Sequence, residues 1–93
     1  MKKSELTISK KRYEYLGGLG HLRGMNHWNV TTPTGKKYHI RTTIKMHGFN
    51  GRTDIFKGHY GEKDNLTPEE KYITEAEGFH SAIRYILSEN TTS

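Results

Sequence analysis

The sequence predicts a small α+β fold: a three-stranded antiparallel sheet of two consecutive hairpins, with one C-terminal helix packed on one face. Three observations predict it. Alternation over residues 28–46, "WNVTTPTGKKYHIRTTIKM", separates Trp28, Val30, Tyr38, Ile40, Ile44 and Met46 from Asn29, Thr31, Lys37, His39, Arg41, Thr43 and Lys45. Those are the two faces of a strand pair. Turn signals at Pro33-Thr34-Gly35 and Asn50-Gly51 mark two chain reversals. Lastly, Ala76, Phe79, His80, Ile83 and Leu87 recur at helical spacing.

Residues 4–16, "SELTISKKRYEYL", admit two readings. Ser9 can cap a short helix that runs to Leu16 and closes at Gly17 and Gly18, or "LTI" can begin a strand. Residues 17–24 hold four glycines, too many for an element interior, and read as a loop. No phosphate-loop or dinucleotide pattern accompanies them. Residues 26–46 form the clearest hairpin. Proline presets the first turn position and Gly35 takes the left-handed one, as in a three-residue loop ending in a bulge. Val30 then faces Tyr38, and Trp28 faces Ile40. On the other face Thr31 meets Lys37, Asn29 meets His39, and His27 meets Arg41.

The second hairpin is expected to reverse at Asn50-Gly51, with arms 42–49 and 52–60. A two-residue turn pairs Phe49 with Arg52, Lys45 with Phe56, Arg41 with Tyr60, and sets Ile55 opposite Met46. Phe56 and Tyr60 then share the basic face, unless a bulge near Gly48 or Gly58 turns them inward; glycines in strands favour the bulge. Further on, Thr67-Pro68-Glu69-Glu70 is a capping box with proline at the first helical position. Thr74-Glu75-Ala76-Glu77 is a second, which leaves Lys71-Tyr72-Ile73 as a last strand or turn and predicts a helix over about 75–88. His80 is expected at the edge of the core. The chain is thus read as one domain, 1–93: an N-terminal segment and glycine-rich loop (1–25), a β-meander (26–60) and a helical region (68–89). The face opposite the helix is left bare.

Composition narrows the function classes. The 93 residues are 31% hydrophobic, with a mean hydropathy of −0.91, so the core must be thin and built on large side chains. No cysteine is present, which excludes a disulfide scaffold and thiolate metal sites. The start, "MKKSELTISKK", has no apolar run of signal-peptide length, and no segment is apolar enough for a membrane span. A soluble cytoplasmic protein is expected, with no membrane partner. The net charge of +5 is unevenly spread. Residues 1–58 hold twelve Lys or Arg against three acids (12 − 3 = +9), and residues 59–93 hold three against seven (3 − 7 = −4). Such polarity favours an oriented surface for phosphates or for an acidic protein.

Catalysis is the weakest reading. The six histidines show no i, i+4 helical pair and no short tract with acidic ligands, so no metal, cofactor or catalytic residue is expected, and the protein is read as a non-enzyme. Nucleic-acid binding is stronger. Lys37, Arg41 and Lys45 stand every four residues on one strand face, about 13 Å apart by the strand rise. Lys36, Arg52 and Lys57 extend that patch, and Asn29, Thr31 and His39 lie among them as hydrogen-bonding groups. Long bases on such a ribbon suit phosphates and shorter polar groups suit base edges, while an outward Phe56 and Tyr60 would suit stacking on single strands. DNA or RNA is therefore the expected partner, and a homodimer is a further expectation. The succession "W-x-V…TPTGKKYHI…ITEAEGFHSAIRYI" resembles the small arm-binding domains at the start of tyrosine-recombinase integrases. The resemblance covers at most residues 26–88, and it implies a three-stranded sheet laid in the major groove and backed by one helix. The expected strands 2 and 3 are longer than in that pattern.

The alternative expectation is a phage or mobile-element inhibitor of host defence. The chain is similar in character to small anti-CRISPR and anti-restriction proteins, which bind a host nucleic-acid-handling protein. Its basic face would then fill an acidic groove, or an acidic helix bearing Glu69, Glu70, Glu75 and Glu77 would imitate a phosphate backbone.

Overall fold

The structure, a computed structural model, describes residues 2–17 and 21–90. It is a mostly-sheet α+β fold. One turn of 3-10 helix (Lys3–Glu5) leads into β1 (Thr7–Ile8) and β2 (Arg12–Tyr15). Next come β3 (Leu22–Thr31), β4 (Lys37–Lys45) and β5 (Asn50–Lys57). A four-residue helix α1 (Pro68–Lys71), β6 (Tyr72–Ala76) and helix α2 (Phe79–Glu89) complete the chain. The sheet is antiparallel and six-stranded, in the order β1-β3-β4-β5-β6, with β2 also paired to β3 beside β1.

Six strands replace the three predicted, and each addition covers an edge the smaller sheet would have left open. Residues 9–16 do not form the N-terminal helix. Tyr13 and Tyr15 alternate with Arg12 and Glu14 against β3, where Arg12 pairs with His27 and Tyr15 with Gly24. Backbone pairing and β-favouring tyrosines outweigh a weak helix propensity there. Between β1 and β2, Ser9 carries the ladder across the break. Its amide donates to the Asn29 carbonyl at 2.8 Å, and its Oγ accepts from the Asn29 amide at 2.8 Å. At the other edge, residues 72–76 pair with β5 instead of starting the helix, setting Thr74 opposite Ile55 and Ala76 opposite Thr53. The helix therefore begins at Phe79, and the Thr74 capping box is unused, whereas the Thr67 box is formed in full at α1. The predicted glycine-rich loop lies partly outside the described residues.

The first hairpin has the predicted register, with Val30 opposite Tyr38 and Trp28 opposite Ile40. Its loop closes through Thr32 N to Lys36 O and Gly35 N to Thr32 O, both at 2.9 Å, with Gly35 at φ 89°. The second hairpin differs from expectation. It reverses at Met46-His47-Gly48, with Lys45 N bonded to Phe49 O and Gly48 N to Lys45 O, and Gly48 at φ 87°. That is the loop of the first hairpin repeated, and Asn50-Gly51 instead opens β5. Ile55 consequently faces Ile40, not Met46, and Arg41 faces Asp54, not Tyr60. The core decides the matter: this register places Ile55 beneath the helix, whereas the predicted one would strand it near the hairpin tip.

The core lies between the sheet and α2. Val30, Tyr38, Ile40 and Ile55 pack against Ala82, Ile83 and Ile86, and Leu6 seals one end. Burying each isoleucine is worth roughly 1.5–3 kcal/mol. Trp28 and Phe79 close the other end with ring centroids 4.7 Å apart. Asn90 caps the helix onto the sheet through Nδ2, which donates to the Tyr38 hydroxyl at 2.9 Å and the Ile86 carbonyl at 2.7 Å. His80, expected at the core edge, is exposed, because residues 82, 83 and 86 define the inward face. Among the described residues no helix is long and apolar enough to cross a membrane.

Candidate nucleic-acid interface

The second face of the sheet carries His27, Asn29, Thr31, Lys37, His39, Arg41 and Phe56, as alternation requires. It is not bare. Residues 58–71 cross it as a strap. The Asn29 side chain behaves like a piece of neighbouring strand: Oδ1 accepts from Tyr60 N at 2.7 Å and Nδ2 donates to Tyr60 O at 3.3 Å. Thr31 Oγ1 meets His59 Nε2 at 3.0 Å, and Lys37 Nζ pairs with Glu62 at 3.1 Å. Three residues expected to contact a nucleic acid thus hold the strap down.

Beneath the strap is a buried polar cluster. His27 (3% exposed) lies diagonally across the strand pair from His39 (9%), with His27 Nδ1 and His39 Nε2 2.8 Å apart. His27 Nε2 reaches Glu14 Oε1 at 2.9 Å. Tyr60 stacks on His27 with ring centroids 3.8 Å apart and planes 6° apart, and its hydroxyl donates to the same Glu14 oxygen at 3.4 Å. Burial lowers the pKa of both histidines; for His39, the neighbouring His27, Arg41 and Lys71 add to that, and its value falls to about 3. The phenol of Tyr60 is raised, by burial first and by Glu14 second.

Phe56 is 7% exposed on this same face, so no bulge turns it into the helix-side core and it is not outward either. His39, Arg41 and Tyr72 enclose its ring, with the guanidinium 4.7 Å from the centroid. Arg41 Nη2 and Arg52 Nε both bind Asp54, at 2.9 and 2.6 Å, and Asp54 is 1% exposed. The predicted stripe is therefore largely compensated: Lys37 by Glu62, Arg41 and Arg52 by Asp54, and Arg52 also by Glu75 at 3.7 Å. Lys36 lies over the Tyr38 ring at 5.7 Å. Lys45 and Lys57 are exposed. The acids of the expected phosphate mimic do not share a helix: Glu69 and Glu70 are on α1, Glu75 is on β6, and Glu77 is in the connector to α2.

The densest run of uncompensated bases lies elsewhere. Lys10, Lys11 and Arg12 follow one another where the chain leaves β1 and enters β2, around a notch of about 330 Å³ floored by His27, Asn29 and Tyr60. Arg12 also stands over the Tyr60 ring at 5.7 Å. Tyr13 (48% exposed) and Tyr15 (75%) follow along the edge. Gly24 makes room for Tyr13, because a Cβ there would sit 2.6 Å from its hydroxyl. Past the notch, Arg23, Lys45 and the exposed Phe49 gather near the β4–β5 loop. Alternation gave the right faces for His27, His39 and Arg41, but Glu14 and the basic edge escaped sequence reasoning. Their signal was the "RYEY" alternation, legible only once residues 12–15 are read as a strand.

Among the described residues, no group of three or more His, Asp or Glu is placed to hold a metal ion. No protein-family model matches this chain, nor does a curated protein or a solved structure.

Proposed function

We propose that this protein binds nucleic acid, with the β1–β2 edge and the neighbouring hairpin tip as the main contact surface. The supporting observation is the run Lys10, Lys11, Arg12, Tyr13 and Tyr15: three consecutive bases without an acidic partner among the described residues, followed by two exposed aromatic rings. Cations along an edge track a phosphate backbone, and alternate rings offer stacking platforms to unpaired bases. The compensated stripe has less to offer, since an arginine held by a buried aspartate must break that pair to take a phosphate.

The test compares two triple variants by fluorescence anisotropy on a labelled single strand across a salt series. Changing Lys10, Lys11 and Arg12 to Ala should lower the slope of log K against log salt by about two, at about 0.7 per single-strand phosphate contact. Changing Lys37, Arg41 and Lys45 to Ala should lower it by about one or less, because only Lys45 is uncompensated. The opposite ranking would return the contact to the sheet face.

A further inference from the structure

The strap and the sheet enclose a second cleft, of about 330 Å³, between β3, β4 and α1. Its lining includes Arg41, Lys57 and Lys71 against one carboxylate, Glu14. That carboxylate is engaged by His27 and Tyr60, and the hydrogen bonds fix the ring tautomers. A carboxylate only accepts, so His27 Nε2 carries the proton toward Glu14, and His27 Nδ1 is left as an acceptor. His39 Nε2 must then donate to His27 Nδ1, and a neutral His39 presents Nδ1 as a bare lone pair. No hydrogen bond within the protein engages that nitrogen among the described residues. Arg41 Nε, for its part, is fully buried without a partner. The cleft thus offers one fixed acceptor amid cations, with an unused donor beside it. A simple anion satisfies the cations but gives the lone pair nothing. A ligand with a hydroxyl donor next to a phosphate satisfies both.

We propose that this cleft seats a ribonucleotide unit of a nucleic-acid chain, its phosphate against Lys57 and Lys71 and its 2′-hydroxyl donating to His39 Nδ1. His39, Lys57 and Lys71 line the same cleft, and a ribonucleotide's 3′-phosphate sits on the carbon next to that bearing the 2′-hydroxyl. Lys71 is held by Asp64 at 2.9 Å, a partly exposed pair that a phosphate can replace. Tyr60 on His27 and Phe56 beside His39 keep the rings from turning. The inference rests on the nucleic-acid reading and narrows it to RNA.

The experiment measures binding of one single-stranded sequence in all-ribo, all-deoxy and 2′-O-methyl form. Wild type should bind the ribo strand about three- to tenfold more tightly than the deoxy strand, the worth of one net hydrogen bond. The 2′-O-methyl strand, which keeps the oxygen but loses the donor, should bind like deoxy. His39→Phe, checked for folding by thermal melting, should abolish the preference, and Lys71→Gln should weaken all three strands while preserving it. Equal affinity for ribo and deoxy strands overturns the proposal and leaves the nucleic-acid reading standing. Binding of none of the strands sinks both. A ribo preference that survives in folded His39→Phe, or that extends to the 2′-O-methyl strand, removes His39 from the recognition.

Discussion

His39 and Asp54 show how polar groups come to be buried in so lean a chain. Each sits on the face away from α2, and each is tolerated because its neighbours answer it. His39 is held neutral by burial, with a pKa reduced from 6.5 to about 3, and His27 is lowered in the same direction. The unfolded chain therefore takes up protons near pH 6.5 that the folded chain refuses. This contribution to stability is complete above that pH and is lost progressively below it, by up to about 1.4 kcal/mol per pH unit for each histidine. Urea unfolding at about pH 7.5 and about pH 5 should show a drop that is smaller in His39→Phe. Asp54 is the reverse case, a buried carboxylate held by two arginines. Replacing Arg41 alone by Ala should cost about 1 kcal/mol, since Arg52 remains, and replacing the exposed Arg52 alone should cost less. Replacing both should cost about 3 kcal/mol or more, by leaving a bare buried charge, and Asp54→Asn in that double background should recover much of it. Additive costs without rescue would mean that the arginines act through packing on Phe56 and Tyr72 and not through charge.

Both hairpins use one device, a three-residue loop whose last residue is glycine in the left-handed region. Gly48→Ala should therefore cost about 1–2 kcal/mol and Gly48→Asn clearly less, because asparagine tolerates that conformation. Thermal melts of the two variants make the comparison. If the alanine were harmless, the loop would not need its glycine. The sequence announced the first loop because Pro33 precedes Gly35, and the register of β3 with β4 followed from alternation. It obscured the second, where Asn50-Gly51 is the stronger local signal and only the demand that Ile55 meet the core selects Gly48. Short edge strands were harder still. Residues 7–8, 12–15 and 72–76 gain their structure by completing the ladders of β3 and β5, a tertiary reward that the sequence hinted at only through the strand alternatives at "LTI" and Lys71-Tyr72-Ile73. That is why half of the candidate site was legible. His39, Arg41 and Phe56 lie on strands that alternation identifies. The closing of that face by Asn29, Thr31 and Lys37, and the exposure of Lys10 to Tyr15, depend on parts of the chain whose pairing no local pattern prescribes.

Taken whole, the molecule is electrostatically lopsided, and the fold spends much of that asymmetry internally. Acids from the C-terminal half, Glu62, Asp64 and Glu75, return to pair with Lys37, Lys71 and Arg52. Of the bases without an acidic partner among the described residues, the densest run, Lys10 to Arg12, lies along the β1–β2 edge, with Arg23 and Lys45 near the β4–β5 loop. On the function proposed above, this excess of positive charge meets a phosphate backbone. The most direct measurement is the affinity of wild-type protein for a labelled single strand as salt rises from about 20 mM to about 200 mM. The expected log–log slope is about −2 to −3.5, for three to five phosphate contacts at about 0.7 each. No detectable binding at the lowest salt, or binding that salt leaves unchanged, would contradict it.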